Sequence, residues 1–418
     1  MKPASELRRA RVAVAALFFT NGALFANLVP RYPAIKEALG LSNAEFGLAV
    51  ASFPVGALAA GLASGFLIRR FRSSRVAVAG TVLTALGIML VGAAPSGIVF
   101  AAALCLAGAM DAITDVAQNS HGLRVQRLYG RSILNSFHAV WSIGAVAGGL
   151  MGAAAAGWRA PLLLHLGVSG AVLAAVSLSC LHLLLAGQEP TMVDAVDLGG
   201  PATSGGAVVR SPWWRHKYLV LTALVLIAAG STLVEDAGST WSSVYLAGEL
   251  GAPLALAGLG FVALVAAQFV GRMLGDRLVD RFGQRQVARA GGLIVALGMG
   301  LALLWPTVPG TIAGFAAAGL GVATLVPAAM HAADTLPGLP AGTGLTVVSW
   351  LMRVAFLISP PVVGAISDVT SLRVGLLVVP LAGILVLVFS PVLSTRSART
   401  SRTQDTTDDT PELPTRRA

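Results

Sequence analysis

The chain has 418 residues, 56% hydrophobic and only 11% charged, with 48 glycines and a formal net charge of +10. That balance suits small-residue helix packing in lipid better than a soluble core of this length. A nucleic-acid binder would gather its basic residues with aromatics on one face. Here they are spread over short polar segments between long apolar runs, so the charge is no argument for nucleic acid and fits loops that anchor helices at anionic lipid.

In chain order the apolar runs lie at 12–30, 43–68, 76–94, 98–122, 133–156 and 160–185, then at 217–246, 253–276, 287–305, 307–331, 341–365 and 371–394. Each is long enough, at ~20 residues, to cross a ~30 Å hydrocarbon core as a helix. The first follows Arg8, Arg9 and Arg11, leads into more spans and is too long for a cleavable signal peptide. Residues 1–11 read as an N-terminal segment, 12–185 as a six-helix half and 217–394 as a second six-helix half. Between them, 186–216 lapses into Gly199-Gly200-Pro201 and Ser204-Gly205-Gly206, a linker, and 395–418 reads as a disordered tail. Cys105 and Cys180 sit in apolar runs and are expected as buried thiols.

The loops alternate in charge. One side carries Arg69, Arg70, Arg72 and Arg75, then Arg124, Arg127 and Arg131, then Arg210, Arg215 and Lys217, then Arg277, Arg281, Arg285 and Arg289, together with both basic termini. The other holds only Arg31, Lys36, Arg159 and Arg373. The positive-inside rule makes the basic side cytoplasmic, with both termini inside. The expected localisation is a cell (inner) membrane, multi-pass.

Charges within a bilayer are costly, so those that remain tend to face a cavity or a partner. In the fourth run Asp111, Asp115, Gln118 and Gly122 share one helical stripe, with Asn119 beside it. Asp111, near the span centre, is the leading candidate to carry a coupling proton, the alternative being a structural hydrogen bond to a neighbouring helix. Arg353 of the eleventh run reads as its counter-charge or as a fork for an anionic substrate. Asp115 either joins that role or pairs with the next helix. His138 in the fifth run either relays protons with Asp115, hydrogen-bonds substrate or is satisfied structurally. Gly144, Gly148, Gly149 and Gly152 read as a close-packing face. Glu235 and Asp236 project about 100° apart on a helix, so one is expected to line the path and the other to pair near the outer surface. Trp241 and Tyr245 read either as cavity groups or as interfacial anchors. Asn21 joins the candidate cavity, and Arg31 reads as a substrate contact at the outer mouth or as a surface anchor. Pro360-Pro361 should break or kink the eleventh helix. Arg272, Asp276 and Asp280 align one turn apart and, with Arg281 and Arg285, form a candidate cytoplasmic latch.

The halves also align with one another at a constant offset: Leu67 with Leu278, Arg70 with Arg281, Phe71 with Phe282 and Val76 with Val287. Leu278-Val279-Asp280-Arg281-Phe282-Gly283-Gln284-Arg285 resembles the loop motif of the major facilitator superfamily. In Gly65-Phe66-Leu67-Ile68-Arg69-Arg70-Phe71-Arg72, Arg69 stands where that motif has its acid and Arg72 where it has its loop glycine. The resemblance spans roughly 11–394, and the segments Pro33-Ala34-Ile35-Lys36, Gly40-Leu41-Ser42, Ser136-Phe137-His138-Ala139 and Trp141-Ser142 look like a poorly characterised bacterial inner-membrane branch. It implies an all-α membrane protein of twelve helices in two pseudo-symmetric halves that rock around a central cavity. The fifth-helix glycines resemble a motif associated with antiporters, but its proline is absent.

No phosphate loop, metal-ligand spacing or nucleophile elbow is present in the sequence, so no enzyme, cofactor or metal is expected. The expectation is a monomeric secondary transporter of a small organic molecule, coupled to protons and leaning toward efflux. Uptake of a sugar-like or polyol solute is the alternative, and a non-transporting receptor on the same scaffold is the second.

Overall fold

The computed structural model describes residues 4–187, 217–337, 339–340 and 342–394. Apart from Ala186 and Gly187, the expected linker and the whole expected tail lie outside the described residues, as do Arg210 and Arg215. Among the described residues, twelve helices are long and apolar enough to cross a membrane. They are α1 (Ser5–Ala38), α2 (Asn43–Gly61), α3 (Ser73–Gly92), α4 (Gly97–Tyr129), α5 (Leu134–Gly157) and α6 (Leu162–Cys180), then α7 (Lys217–Gly248), α8 (Leu254–Phe282), α9 (Gln284–Leu304), α10 (Val308–Asp334), α11 (Thr343–Val369) and α12 (Leu372–Val392).

Local chemistry sets many of the boundaries. Ser42 and Glu45 form a capping box that starts α2, and Ser96, Thr307 and Ser371 cap α4, α10 and α12. α4 runs past its expected end to Tyr129, where Gly130 adopts the left-handed conformation that closes helices. α1 carries a 3-10 turn at Val29–Arg31, where Pro30 and Pro33 interrupt the regular ladder. α11 is not broken at Pro360 and Pro361, since the helix is continuous through both.

The glycines of α5 bring two backbones together. A Cβ on Gly144, Gly148 or Gly152 would collide with the carbonyl oxygens of Phe19, Ala23 and Asn27, one per turn of α1. The internal repeat extends into packing: Gly108 of α4 lies against the carbonyl of Phe53 in α2, and Gly319 of α10 lies in the same way against that of Leu264 in α8.

The face bearing the arginine-rich loops is the basic face, and the other is the opposite face. Among the described residues, hydrogen bonds between the halves gather at the opposite face. The Asn43 and Ala44 N–H groups at the start of α2 donate to the two carboxylate oxygens of Asp368 in α11, both at 2.8 Å. The Ser243 hydroxyl of α7 donates to the Val29 carbonyl at 3.0 Å. Trp241 packs edge-on against Phe46 at 5.6 Å, and Gly258 of α8 abuts Pro30 and Ala153. Toward the basic face, Asp115, His138, Arg272 and Arg353 are exposed. The halves are therefore joined at the opposite face and parted at the basic one.

Arg31 is neither at an open mouth nor on the surface. It is buried, donates to the Ala160 carbonyl at 2.6 Å and lies 3.4 Å from His165 Nδ1. His165 Nε2 in turn meets Asn27 Oδ1 at 2.9 Å, and Asn27 donates to Ser169 Oγ at 2.6 Å, so the network ties α1 to α6. Cys180 is buried as expected, whereas Cys105 is only partly so, and both are free thiols.

Candidate functional site

Between the halves lies a cavity of about 190 Å³. α1 contributes Asn21 and Phe25, α2 Phe53, α4 Asp111 and α5 Trp141. From the second half come Glu235, Asp236, Ser239 and Thr240 of α7, Phe261 and Gln268 of α8, and Phe356 and Pro360 of α11. Both halves supply acids, and rings from both complete the walls.

On the first-half wall three helices meet in one hydrogen-bond chain. Trp141 Nε1 donates to Asn21 Oδ1 at 2.8 Å, and Asn21 Nδ2 donates to Asp111 Oδ1 at 2.6 Å. With both Asn21 groups engaged, the amide orientation is fixed and one Asp111 oxygen remains for a proton or ligand. Each helix contributes one member, so movement of α1, α4 or α5 is transmitted to the carboxylate.

The second-half wall holds two acids in different settings. Gln268 Nε2 donates to Glu235 Oε2 at 2.9 Å, and Arg272 approaches the same oxygen at 4.0 Å. Asp236 is 3% exposed, its Oδ1 accepts from Thr240 Oγ1 at 3.4 Å, and its Oδ2 has no hydrogen-bond partner. Both acids line the cavity, contrary to the expectation that one would sit near the outer surface. α7 turns its edge to the cavity, so side chains 100° apart bracket it.

The remaining expected residues fall elsewhere. Asn119 donates to Asp115 Oδ1 at 3.0 Å and Gln118 at 3.4 Å, so the polar stripe of α4 folds back onto Asp115. Asp115 faces His138 and Arg353 electrostatically, and His138 faces Arg272, which makes a charged approach to the cavity from the basic face. Arg353 thus stands opposite Asp115 and not Asp111. Trp241 is fully buried outside the cavity lining, and Tyr245 is buried as well, so neither is an interfacial anchor.

Of the latch candidates, Arg272 turns to Glu235 within its own half. Arg285 donates to the carbonyls of Pro391 and Leu393 at 2.5 and 3.0 Å, tying down the end of α12. Arg281 stacks over Phe282 at 5.4 Å, as Arg70 does over Phe71 at 5.4 Å. Asp276 and Asp280 are exposed, and no ion pair joins them to the other half among the described residues.

Trp141 and Gln268 were not foreseen as site residues. Gln268 had a sequence signal, an uncharged polar residue one turn before Arg272 in an otherwise apolar stretch.

The sequence profile of the Major Facilitator Superfamily matches residues 14–266 and 220–416. The chain belongs to the Major Facilitator Superfamily. The chain is 31% identical over 380 residues to the uncharacterized transporter y4wD of Sinorhizobium fredii, covering 91% of this chain and 97% of that one. In fold it matches the nucleoside transporter NupG with a TM-score of 0.70 at 12% identity, over 92% of this chain and 98% of that chain. It matches a D-xylose-proton symporter with a TM-score of 0.64 at 15% identity, over 94% and 99%. Superfamily membership makes this a multi-pass membrane transporter, a non-enzymatic class that handles small-molecule substrates.

Proposed function

We propose that the chain is a proton-coupled secondary transporter of a small organic solute that works by alternating access in the direction of efflux. The observation that carries this reading is the cavity between the halves, with Asp111 at its wall held by Asn21, which Trp141 in turn orients. A carboxyl at the end of a hydrogen-bond chain that spans three helices changes its proton affinity when those helices move, which is what coupling requires. Both termini are read as cytoplasmic, so the parted basic face is the inward-open state and the bonds at the opposite face close the outer gate. Uptake is the second reading, favoured by the amide and hydroxyl groups in the lining and by the fold likeness to a proton symporter.

The test is reconstitution in vesicles with an imposed pH gradient and a solute panel. Wild-type protein is expected to concentrate a solute in response to the gradient, and the sign of movement decides between efflux and uptake. Asp111→Asn should insert normally and lose gradient-driven accumulation by ~10-fold or more, a coupling loss of at least about 1.4 kcal/mol. Glu235→Gln is the matched control. Uphill accumulation by Asp111→Asn with normal pH dependence would move the proton to another group.

A further inference from the structure

The three carboxylates of the cavity differ in what answers their charge, and no lysine, arginine or histidine stands among the lining residues. Asp111 has the Asn21 amide, and Glu235 has Gln268 and the Arg272 guanidinium. Asp236 has one long bond from Thr240 and an oxygen with no partner, although it is the most deeply buried of the three. Beside it stand the Ser359 hydroxyl and the Tyr32 phenol, both neutral donors and neither with another partner. A buried carboxylate with only neutral hydroxyls about it is costly, and it marks a place where a ligand supplies the positive charge that the lining does not.

We infer that the cavity binds a small organic monocation, an amine whose ammonium N–H groups sit on Asp236 while its carbon frame lies against the aromatic walls. This rests on the reading of the cavity as the transport site and gives that site its substrate class. One unanswered acid calls for one positive charge. Phe25 and Phe53, with ring centroids 4.8 Å apart, and Phe261 and Phe356 offer π faces and apolar surface to such a cation. A bare metal ion would engage the oxygens and leave the aromatic walls and most of the about 190 Å³ unused. The proton and the cargo then occupy different acids, Asp111 and Asp236.

The experiment is equilibrium binding to purified full-length protein in nanodiscs, with matched pairs of ligands. Primary amines from butylamine to phenethylamine are compared with the alcohols of the same skeleton. Amines are expected to bind at least tenfold more tightly than their alcohols, and Asp236→Asn should bring each pair to near equality while Gly248→Ala, outside the cavity, keeps the preference. Asp236→Glu, which retains the charge on a longer arm, should keep a reduced preference and covers the case in which Asp236→Asn does not fold. Equal affinity for amine and alcohol in wild type, a preference that survives Asp236→Asn, or no binding across the series would each overturn the inference. So would saturable sodium binding that depends on Asp236 where amines do not bind. The vesicle assay separates the two proposals: flux of neutral solutes alone would leave the transporter reading standing without the amine site. Asp236-dependent amine binding without any flux would do the reverse.

Discussion

Arg72 and Gly283 hold equivalent places in the two halves and nearly the same backbone, with φ 77° and ψ 144° for the one and φ 81° and ψ 156° for the other. Glycine adopts this region freely, whereas an L side chain there carries strain of ~1–3 kcal/mol. The turn is thus imposed by what surrounds it, the helix pair on either side and the Arg70–Phe71 stack that mirrors Arg281–Phe282. Arg72→Gly should therefore raise the thermal unfolding midpoint in detergent, by about 1 kcal/mol of stability, and Gly283→Ala should lower it by a similar amount. An unchanged midpoint in both variants would mean that the loop relaxes freely and stores no strain. The sequence showed the missing glycine but not the retained conformation, because only the neighbouring helices reveal that the turn is kept without it.

At the scale of elements, the contact of α1 with α5 rests on glycines that let carbonyl oxygens approach where a side chain would stand. Gly148→Leu puts four carbons into the position of the Ala23 carbonyl and should separate the pair at a cost of about 3 kcal/mol or more, read as loss of monodisperse protein after extraction. Gly248→Ala, at a site with nothing within 4 Å of the added carbon, should be neutral in the same measurement. Separating α1 from α5 also parts Asn21 from Trp141, so milder substitutions on this face are expected to reach the cavity before they reach stability.

For the whole molecule, the two faces are governed by different carboxylates. Asp368 accepts from two N–H groups at the head of α2, where the helix dipole favours an anion, and it bridges the halves at the opposite face. The site is exposed, so Asp368→Asn should cost the observed state only about 1 kcal/mol after solvent screening, a roughly fivefold shift toward opening at the opposite face. Distance measurements between spin labels near residues 37 and 369 should report that shift. Asp280→Asn is expected to act in the other sense, weakening closure of the basic face by removing the acid of the intact loop motif. If it leaves both transport and accessibility unchanged, that loop serves only to orient the chain. Topology has its own check: cysteines near residues 72, 127 and 283 should be labelled only from the cytoplasm, and those near 37, 158 and 369 only from outside.

The sequence by itself determined the number of spans, their order and the repeat, because hydrophobic length and loop charge are local properties of the chain. It singled out Asp111, Glu235, Asp236 and Asn21 as rare polar groups in apolar runs, and all four line the cavity. Tertiary structure alone decided their partners. Asn21 lies 90 residues from Asp111 and 120 from Trp141, and no periodicity within one helix encodes a hydrogen bond between three. The same holds for Arg31, which looked like an outer charge until His165 of α6 and Ala160 just before that helix met it in the interior, and for Trp241, which packs against Phe46 and not in the lining. A span's composition says that it lies in the membrane. Which face it turns to a neighbour, and which to the cavity, is settled by packing between segments far apart in sequence.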